Sequence, residues 1–273
     1  QGKTALVTGA SRGIGRAIAL EFARQGIRRL ILVSRNQQRL NAVATTIAEQ
    51  VPAVEVVVLP IDLTQSVERV SIAIAQAWRD YGPVHLLVNC AGVAHQTPFL
   101  RSRPHQIANE IATNLMGTYT ITRLIGRRMA ALRQGTIVNV SSLMGKIGAP
   151  TMATYSATKF ALVGFTQALR SELAPANVNV VALLPTLTDT DMARSIDRFR
   201  WVNPMTPDDV AIALIQGLKR DSSEILVGWQ SHVAVWMSRI APWLVERVIR
   251  WASPQPKRPA SRPQASRSPV PIP

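Results

Sequence analysis

Short apolar runs alternate along the chain with longer segments in which apolar residues recur every three or four positions. Five runs have the length of strands and are largely apolar: residues 3–8, 30–33, 54–59, 178–184 and 224–227. Uninterrupted apolar runs are typical of strands that are buried on both faces of a sheet. Their alternation with helical segments predicts one α/β domain, a doubly wound parallel sheet with helices on both faces.

The first run leads into a glycine-rich loop and then into a helical stretch, residues 16–25. Gly9, Gly13 and Gly15 allow the backbone to approach a phosphate closely, and the helix would point its positive N-terminus at the same anion. A second strand about twenty residues further on completes the context that a Rossmann-type dinucleotide site requires. The predicted cofactor contacts in this loop are Thr8, Gly9, Ser11, Arg12, Gly13, Ile14 and Gly15.

The residues that follow the second strand indicate which dinucleotide is bound. A carboxylate at this position would bind the ribose 2′-hydroxyl of NAD, but the chain has Ser34 and Arg35 there. A hydroxyl and a guanidinium accommodate a 2′-phosphate, and Arg12 adds a second positive charge nearby. The sequence therefore favours NADP(H) over NAD(H). The alternative is that Arg35 is an ordinary solvated arginine.

Tyr155 and Lys159 lie four residues apart in a segment with helical periodicity, residues 154–173. Side chains at this spacing share one helix face, so the phenol and the ammonium would point into one pocket. Because a cation favours the phenolate, we expect Lys159 to lower the pKa of Tyr155. Ser142, thirteen residues upstream of Tyr155, would hold a carbonyl oxygen. Each feature alone is typical of an ordinary helix surface or strand end, but together they predict ketone reduction or alcohol oxidation.

With these motifs in this order, residues 2–228 resemble the short-chain dehydrogenase/reductase superfamily, and most closely its 3-oxoacyl-carrier-protein reductases and related ketoreductases. The resemblance implies that Tyr155 is the catalytic acid in reduction and the base in oxidation. Lys159 would lower the tyrosine pKa and bind the nicotinamide ribose, and Ser142 would orient the substrate carbonyl. Asn114, inside the helical stretch 104–132, would hold a water that relays protons from Lys159.

The resemblance also implies further cofactor contacts. Asp62 and Leu63 would lie at the adenine, although Asp62 is also a candidate N-cap for the helical stretch 65–81. The remaining implied contacts are Asn89, Ala91, Gly92, Pro185, Thr188 and Thr190.

The chain departs from the family pattern at two of its loops. Cys90 occupies a slot where the family often has another small residue, and we expect this exchange to be tolerated. Thr186 follows Pro185 where the family commonly has glycine. Because threonine disfavours positive φ, we expect the loop at the nicotinamide to be shaped differently.

Composition and charge exclude several other classes of function. The four histidines have no spacing typical of a triad or a metal site, and one cysteine excludes an internal disulfide and a cysteine-based zinc site. We expect no metal. The formal net charge is +15, which would attract anionic partners. No nucleic-acid motif accompanies it, so no nucleic-acid partner is expected.

The C-terminal part of the chain is unusual for this architecture. Residues 231–252 combine tryptophan and arginine at helical spacing, which is typical of a helix at a membrane interface. The alternatives are a helix that covers the substrate mouth and one that packs on a partner subunit. Pro242 would start or kink the helix. We therefore divide the chain into a catalytic domain, residues 1–230, an amphipathic helical extension, residues 231–252, and a Pro-, Ser- and Arg-rich tail, residues 253–273, expected to be disordered.

These observations predict an NADP(H)-dependent oxidoreductase that reduces a 3-oxoacyl or lipid-like carbonyl, either as a small molecule or as a carrier-linked acyl group. The alternatives are a dehydrogenase of a steroid-like or xenobiotic alcohol and a non-catalytic NADP(H)-binding regulator. Substrate choice is expected in residues 93–103 and 191–203. The resemblance implies a homodimer or homotetramer. No signal peptide and no apolar stretch of about eighteen residues is evident, so we expect a cytoplasmic location, with peripheral membrane association as an addition.

Overall fold

The computed structural model describes residues 2–197, 199 and 203–254, and its centre is a parallel sheet of seven strands. The strand order is β3-β2-β1-β4-β5-β6-β7, so the chain winds outward from β1 in one direction and then from β4 in the other. The predicted doubly wound sheet is confirmed. The strands are β1 (Thr4–Thr8), β2 (Arg29–Ser34), β3 (Glu55–Pro60), β4 (Leu86–Asn89), β5 (Gly135–Val140), β6 (Val178–Leu184) and β7 (Glu224–Leu226).

Helices cover both faces of this sheet and complete two separate apolar cores. Helices α1 (Gly13–Arg24), α2 (Gln37–Gln50) and α8 (Pro207–Lys219) bury their apolar sides against one face. On the other face, the core is formed with α3 (Val67–Tyr81) and α5 (Gly117–Leu132). The remaining helices are α4 (Pro104–Ile111), α6 (Ala153–Leu173), α7 (Asp191–Arg194), α9 (Trp229–Ile240) and α10 (Pro242–Ala252).

The helix predicted over residues 104–132 is interrupted by a π-helical turn, Ala112–Met116. Asn114 lies in this turn and is fully buried, with its side-chain amide bonded to the main chain of Val93. A π turn inserts one extra residue per turn and is common at functional sites. The turn therefore places Asn114 against Val93 in the loop after β4, a contact that the helical pattern of the sequence did not predict.

The C-terminal extension forms two helices rather than one. Proline at the first helical position of α10 has no backbone N–H to donate to the preceding turn, so α9 ends before it. The proposed start of a helix at Pro242 is confirmed. The predicted disordered tail lies outside the described residues from position 255 onward, and the division of the chain at residue 230 stays a prediction.

Within the described part of the chain, no helix has the length and apolar character needed to cross a bilayer. The same residues contain no group of three or more histidine, cysteine or acidic side chains placed to hold a metal ion.

Candidate active site

A cavity of about 1060 Å³ runs along the edge of the sheet where the strands end. In a parallel sheet all carboxyl ends lie at one edge, and ligands bind there where the strand order reverses, which in this chain is between β1 and β4. The volume is at the upper end of the range for a small-molecule site. Most of the predicted site residues line it, namely Gly9, Ser11, Arg12, Gly13, Ile14, Gly15, Ser34, Arg35, Asp62, Leu63, Ala91, Gly92, Ser142, Tyr155, Lys159, Pro185, Thr188 and Thr190.

The glycine loop is built for a close backbone approach. A Cβ on Gly15 would collide with the carbonyl oxygen of Gly9, and one on Gly9 would lie 2.9 Å from the Cα of Ala91. Gly9 and Gly13 also have φ values of 68° and 54°, a region that favours glycine. Helix α1 begins directly at Gly13, and its first residues, Gly13, Ile14 and Gly15, line the cavity. Because the first N–H groups of a helix have no intrahelical acceptor, they are available to an anion there. The loop thus fits a bound pyrophosphate.

The end of β2 carries the polar groups that the sequence predicts for a 2′-phosphate. Ser11 Oγ and Ser34 Oγ are 2.9 Å apart, and Arg35 is exposed at the cavity wall beside them. Arg12 Nη1 lies 3.2 Å from Asp191 Oδ2 across the cavity, so part of its charge is already compensated. Arg39 also lines the cavity, and its Nη1 lies 3.9 Å from the same carboxylate oxygen. One carboxylate thus faces two guanidiniums, and with Arg35 this end of the cavity stays cationic.

Asp62 makes contacts within its own loop. Its Oδ1 accepts hydrogen bonds from the main-chain N–H and the hydroxyl of Thr64, at 2.9 and 2.8 Å. Ser66, not Asp62, is the N-cap of α3, so the N-cap alternative for Asp62 is wrong. Leu63 packs between the cavity and Gly117, and a Cβ added to Gly117 would lie 2.9 Å from the Cβ of Leu63. Both predicted residues therefore reach the cavity at the end of β3.

Ser142, Tyr155 and Lys159 converge at the opposite end of the cavity. Tyr155 and Lys159 project from the first two turns of α6, and Ser142 follows β5, as the spacing predicted. Lys159 Nζ lies 5.5 Å from the centroid of the tyrosine ring. Ser142 Oγ accepts a hydrogen bond from the N–H of Met144 at 3.1 Å, and its hydroxyl lies close enough to the phenol to influence the pKa of Tyr155. A serine hydroxyl and a phenol therefore face one point in the cavity.

The expected direction of the tyrosine pKa is wrong for this structure. Burial raises the pKa of Tyr155 to about 12, and the hydrogen bond from Ser142 lowers it only in part. Burial also lowers the pKa of Lys159 to about 8. The low dielectric around both groups disfavours their charged forms more strongly than the ammonium favours a phenolate.

Asn114 is held close to this group by several hydrogen bonds. Its Oδ1 accepts from the N–H of Val93 at 2.8 Å, and its Nδ2 donates to the carbonyl of Val93 and to Thr158 Oγ1 at 3.0 and 3.1 Å. A Cβ on Gly92 would meet Asn114 Oδ1 at 3.4 Å and Lys159 Nζ at 3.7 Å. Asn114 therefore fixes the loop after β4 next to Lys159, while its role in a proton relay stays a prediction.

Thr8 and Asn89, both predicted as cofactor contacts, are buried and do not line the cavity. Thr8 Oγ1 accepts from the N–H groups of Cys90 and Ala91, each at 3.0 Å. Asn89 Nδ2 donates to Thr122 Oγ1 and to Asn139 Oδ1, each at 2.8 Å, between the sheet and α5. Thr8 therefore holds the loop after β4, and Asn89 ties the end of β4 to β5 and α5. The contact of either residue with the cofactor stays a prediction.

The loop after β6 accommodates threonine at position 186 without a positive φ. The described non-glycine residues with positive φ are Arg133, Thr151, Asn177 and Asp221. Thr190 caps α7 by accepting from the N–H of Ala193 at 3.2 Å. Its methyl group packs against Gly13, where a Cβ would lie 3.1 Å away. The loop therefore joins the catalytic end of the cavity to the glycine loop.

Ser141 lies beyond what the sequence analysis identified, whereas a C-terminal helix at the substrate mouth was one of its alternatives. Ser141 Oγ donates to the carbonyl of Lys159 at 2.8 Å and ties β5 to α6. Residues of α9 and α10 line the cavity, including Met237, Leu244 and Ile249. Strand alternation would have placed Ser141 on the face opposite to Ser142. The sequence shows the inner face of α10 only as an apolar stripe and does not indicate what this stripe packs against.

A protein-family model described as short chain dehydrogenase matches residues 3–201, and the chain belongs to this family of oxidoreductases. The predicted family resemblance is thereby confirmed.

Individual relatives carry more specific names. Ketoacyl reductase HetN of Nostoc sp. is 30% identical over 259 residues, which cover 92% of this chain and 89% of the relative. The 3-oxoacyl-[acyl-carrier-protein] reductase FabG of Aquifex aeolicus is 38% identical over 192 residues, covering 70% and 76%. A short-chain dehydrogenase from Sphingobium yanoikuyae, solved in complex with NADPH, is 29% identical with a TM-score of 0.77, covering 95% of this chain and 99% of that chain.

Proposed function

We propose that the protein reduces a ketone to a secondary alcohol with NADPH as the hydride donor. The observation that carries this proposal is the convergence of Ser142, Tyr155 and Lys159 on a cavity that also contains the glycine loop. When bound along the glycine loop, NADPH would supply the hydride that the carbonyl carbon accepts. Ser142 donates a hydrogen bond to the carbonyl oxygen, and Tyr155 transfers its phenolic proton to that oxygen as negative charge develops on it.

The protonation states of the buried groups suit the acid role that reduction requires of Tyr155. Because burial raises the pKa of Tyr155 to about 12, the phenol carries its proton at neutral pH and can act as an acid. Burial lowers the pKa of Lys159 to about 8, so its ammonium can exchange a proton close to neutral pH. A group with such a pKa is suited to pass a proton to the tyrosine after each turnover.

NADP(H) is the proposed cofactor because Ser34 and Arg35 stand at the end of β2, where an NAD-selective site needs a carboxylate. The experiment is Arg35→Ser, with Arg28→Ser as the control, since Arg28 is exposed before β2 and does not line the cavity. We expect KM for NADPH to rise about tenfold or more in Arg35→Ser, because bonds to charged groups contribute about 1.5–3 kcal/mol, and KM for NADH to change little. An equal effect on both cofactors would contradict this assignment.

The proposed substrate is a 3-oxoacyl or other lipid-like ketone, free or carried as an acyl group. The supporting observation is the apolar wall on the catalytic side, which includes Leu187, Met192 and Ile196 as well as residues of α10. The names of the two relatives point to the same chemistry. A steroid-like or xenobiotic alcohol is the alternative substrate, and a non-catalytic NADP(H)-binding regulator is the alternative from another class.

A substrate screen tests the proposed function directly. Purified protein is mixed with NADPH and a panel of soluble short β-ketoesters, steroid ketones and bulky aromatic ketones, and the loss of NADPH absorbance is followed. We expect turnover of the β-ketoesters. Absence of turnover with every ketone, together with tight NADPH binding, would favour the regulator.

We include a homodimer or homotetramer in the proposal. Ile111, Met116 and Phe160 are exposed apolar side chains on α4, the π turn and α6, and a second copy of the chain would cover them by symmetric contact. Light scattering should give a multiple of the monomer mass that Phe160→Asp reduces. A wild-type protein that is monomeric by light scattering would exclude the proposed homo-oligomer.

Peripheral contact with a membrane through residues 231–252 also belongs to the proposal. Four tryptophans in or beside this segment are exposed: Trp229, Trp236, Trp243 and Trp251. Exposed tryptophan next to arginine is favoured at the headgroup level of a bilayer. Vesicle flotation of the full chain and of a chain lacking residues 231–273 tests this membrane contact. Equal flotation of the two chains would exclude it.

A further inference from the structure

The helices α9 and α10 have two apolar sides rather than one. Their inner sides line the cavity with Met237, Leu244 and Ile249. On the outer side of α9, Trp229, Val233, Trp236 and Ile240 are all exposed and follow one another at intervals of four, three and four residues, which places them in one stripe. A surface helix normally buries its single apolar stripe. A second stripe directed outward indicates a second apolar partner.

The helix pair lies on the catalytic side of the cavity. Helix α9 begins directly after β7, whose neighbour in the sheet is β6. β6 leads into Pro185 and Thr188, which line the cavity together with Ser142 and Tyr155. The end of β2, where Arg35 lies, is four strand positions away from β6. The inner faces of α9 and α10 therefore wall the compartment in which the ketone must bind.

Val248 connects the two sides. It lines the cavity and is nevertheless 47% exposed, so it lies where the cavity opens to the surface. Trp251, one helical turn further along α10, is 69% exposed. The opening therefore lies next to the tryptophan-bearing outer side, and a molecule that enters there passes along Leu244, Val245 and Ile249.

The charges around the opening identify the occupant of the outer side. Arg239, Arg247 and Arg250 are exposed on α9 and α10, and Glu246 is the acidic residue among them. Tryptophan side chains with flanking arginines match the headgroup region of a bilayer that contains anionic lipids. A second copy of this cationic face would bring like charges together, which disfavours a symmetric contact between two chains.

From these relationships we infer that α9 and α10 form a lipid-docked entrance, through which a long-chain ketone passes directly from an anionic bilayer to Tyr155. This inference rests on the proposed ketone reductase activity and adds the route by which the substrate arrives. The hydrocarbon chain stays in apolar surroundings from the bilayer to the cavity, so it need not cross water, where each exposed CH₂ group costs about 0.8 kcal/mol.

The first test narrows the opening. In Val248→Phe, we expect the ratio of kcat/KM for a long-chain 3-oxoacyl ester to that for a soluble short β-ketoester to fall about tenfold, since steric misfits of this size cost about 1–3 kcal/mol. The matched control is Val67→Phe, because Val67 on α3 is 48% exposed and does not line the cavity. An unchanged ratio in Val248→Phe would overturn the entrance.

The second test removes the docking side. Activity on the long-chain ester is measured with mixed vesicles of phosphatidylglycerol and phosphatidylcholine and with vesicles of phosphatidylcholine alone. The proteins compared are wild type, the double variant Trp243→Ser and Trp251→Ser, and Ile72→Ser on α3 as the control. We expect anionic vesicles to raise the wild-type rate and the double variant to lose this increase. A rate increase that survives the double substitution would contradict lipid docking. A smaller oligomer mass of the double variant than of wild type, measured by light scattering, would also contradict it, because the two tryptophans would then lie in a contact between subunits.

The short β-ketoester separates this inference from the proposed function. Its turnover by wild type without vesicles reports the reductase activity alone. If it is reduced and vesicles and Val248→Phe have no selective effect, the entrance is wrong and the activity stands. If it is not reduced by wild type under any condition, the proposed activity itself fails.

Discussion

Lys159 donates a hydrogen bond from its Nζ to the main-chain carbonyl oxygen of Val140, at a distance of 2.9 Å. Lys159 is only 5% exposed to solvent, and this carbonyl at the end of β5 is a partner that the helix spacing could not predict. The bond holds the cation at the end of β5, where its Nζ lies 5.5 Å from the centroid of the Tyr155 ring. Burial therefore determines the pKa of both Lys159 and Tyr155.

The buried ammonium makes stability depend on pH in an alkaline window. Its pKa is about 8 in the folded protein and about 10.5 when exposed, so the unfolded chain binds more protons between these values and stability rises with pH there. Relative to Lys159→Met, wild type should gain about 2–3 kcal/mol in unfolding free energy between pH 7 and 10, because about two pH units of this range lie between the two pKa values and each corresponds to about 1.4 kcal/mol. Urea unfolding at both pH values measures this gain, with Lys219→Met, an exposed lysine, as the control. A constant difference between wild type and Lys159→Met would contradict it.

Removal of the phenolic proton should abolish turnover but preserve cofactor binding. In Tyr155→Phe we expect kcat to fall by about 10²–10⁴-fold, the usual contribution of a positioned acid, while the Kd for NADPH measured by fluorescence stays the same. Tyr119→Phe is the control, because Tyr119 packs on Phe165 with ring centroids 4.4 Å apart and does not line the cavity. Substantial turnover by Tyr155→Phe would disprove the proton-transfer role.

Two glycine substitutions should have opposite effects on stability. A methyl group at Gly15 collides with the carbonyl of Gly9, so Gly15→Ala should destabilise the protein by about 1–3 kcal/mol and weaken NADPH binding. Gly164 lies inside α6 with open space around its Cβ position, so Gly164→Ala should stabilise the protein by about 0.5–1 kcal/mol. Thermal unfolding and NADPH titration of both variants check the pair. Equal changes in the two would be inconsistent with a packed glycine loop.

Asn89 should matter for stability more than for direct cofactor contact. Asn89→Ala leaves Asn139 Oδ1 without its buried donor, which costs about 1–3 kcal/mol. Asn179→Ala is the control, because Asn179 is exposed on β6. Urea unfolding should show the loss for Asn89→Ala, and NADPH affinity measured well below the transition should change less than in Arg35→Ser. A loss of NADPH affinity in Asn89→Ala as large as in Arg35→Ser would instead support a direct contact between Asn89 and the cofactor.

The order of elements and the catalytic group follow from patterns that are local in sequence. Periodicity of 3.6 places Tyr155 and Lys159 on one helix face in any fold, and strand–glycine–helix order creates the loop at Gly9–Gly15 from neighbouring residues. The π turn inside the predicted helix 104–132 was not predicted. Its Asn114 accepts a hydrogen bond from the main chain of Val93, twenty-one residues away, and helical periodicity carries no information about such a partner.

The sequence by itself determined the doubly wound sheet, the family, the glycine loop and the positions of Ser142, Tyr155 and Lys159, since each depends on short-range spacing. Only the tertiary structure decided that Arg12 pairs with Asp191, 179 positions away, that Asn89 is buried, and that α10 walls the cavity. It also reversed the expected pKa direction of Tyr155. Burial and long-range pairing arise when distant segments pack together, and no local pattern encodes how much water that packing excludes.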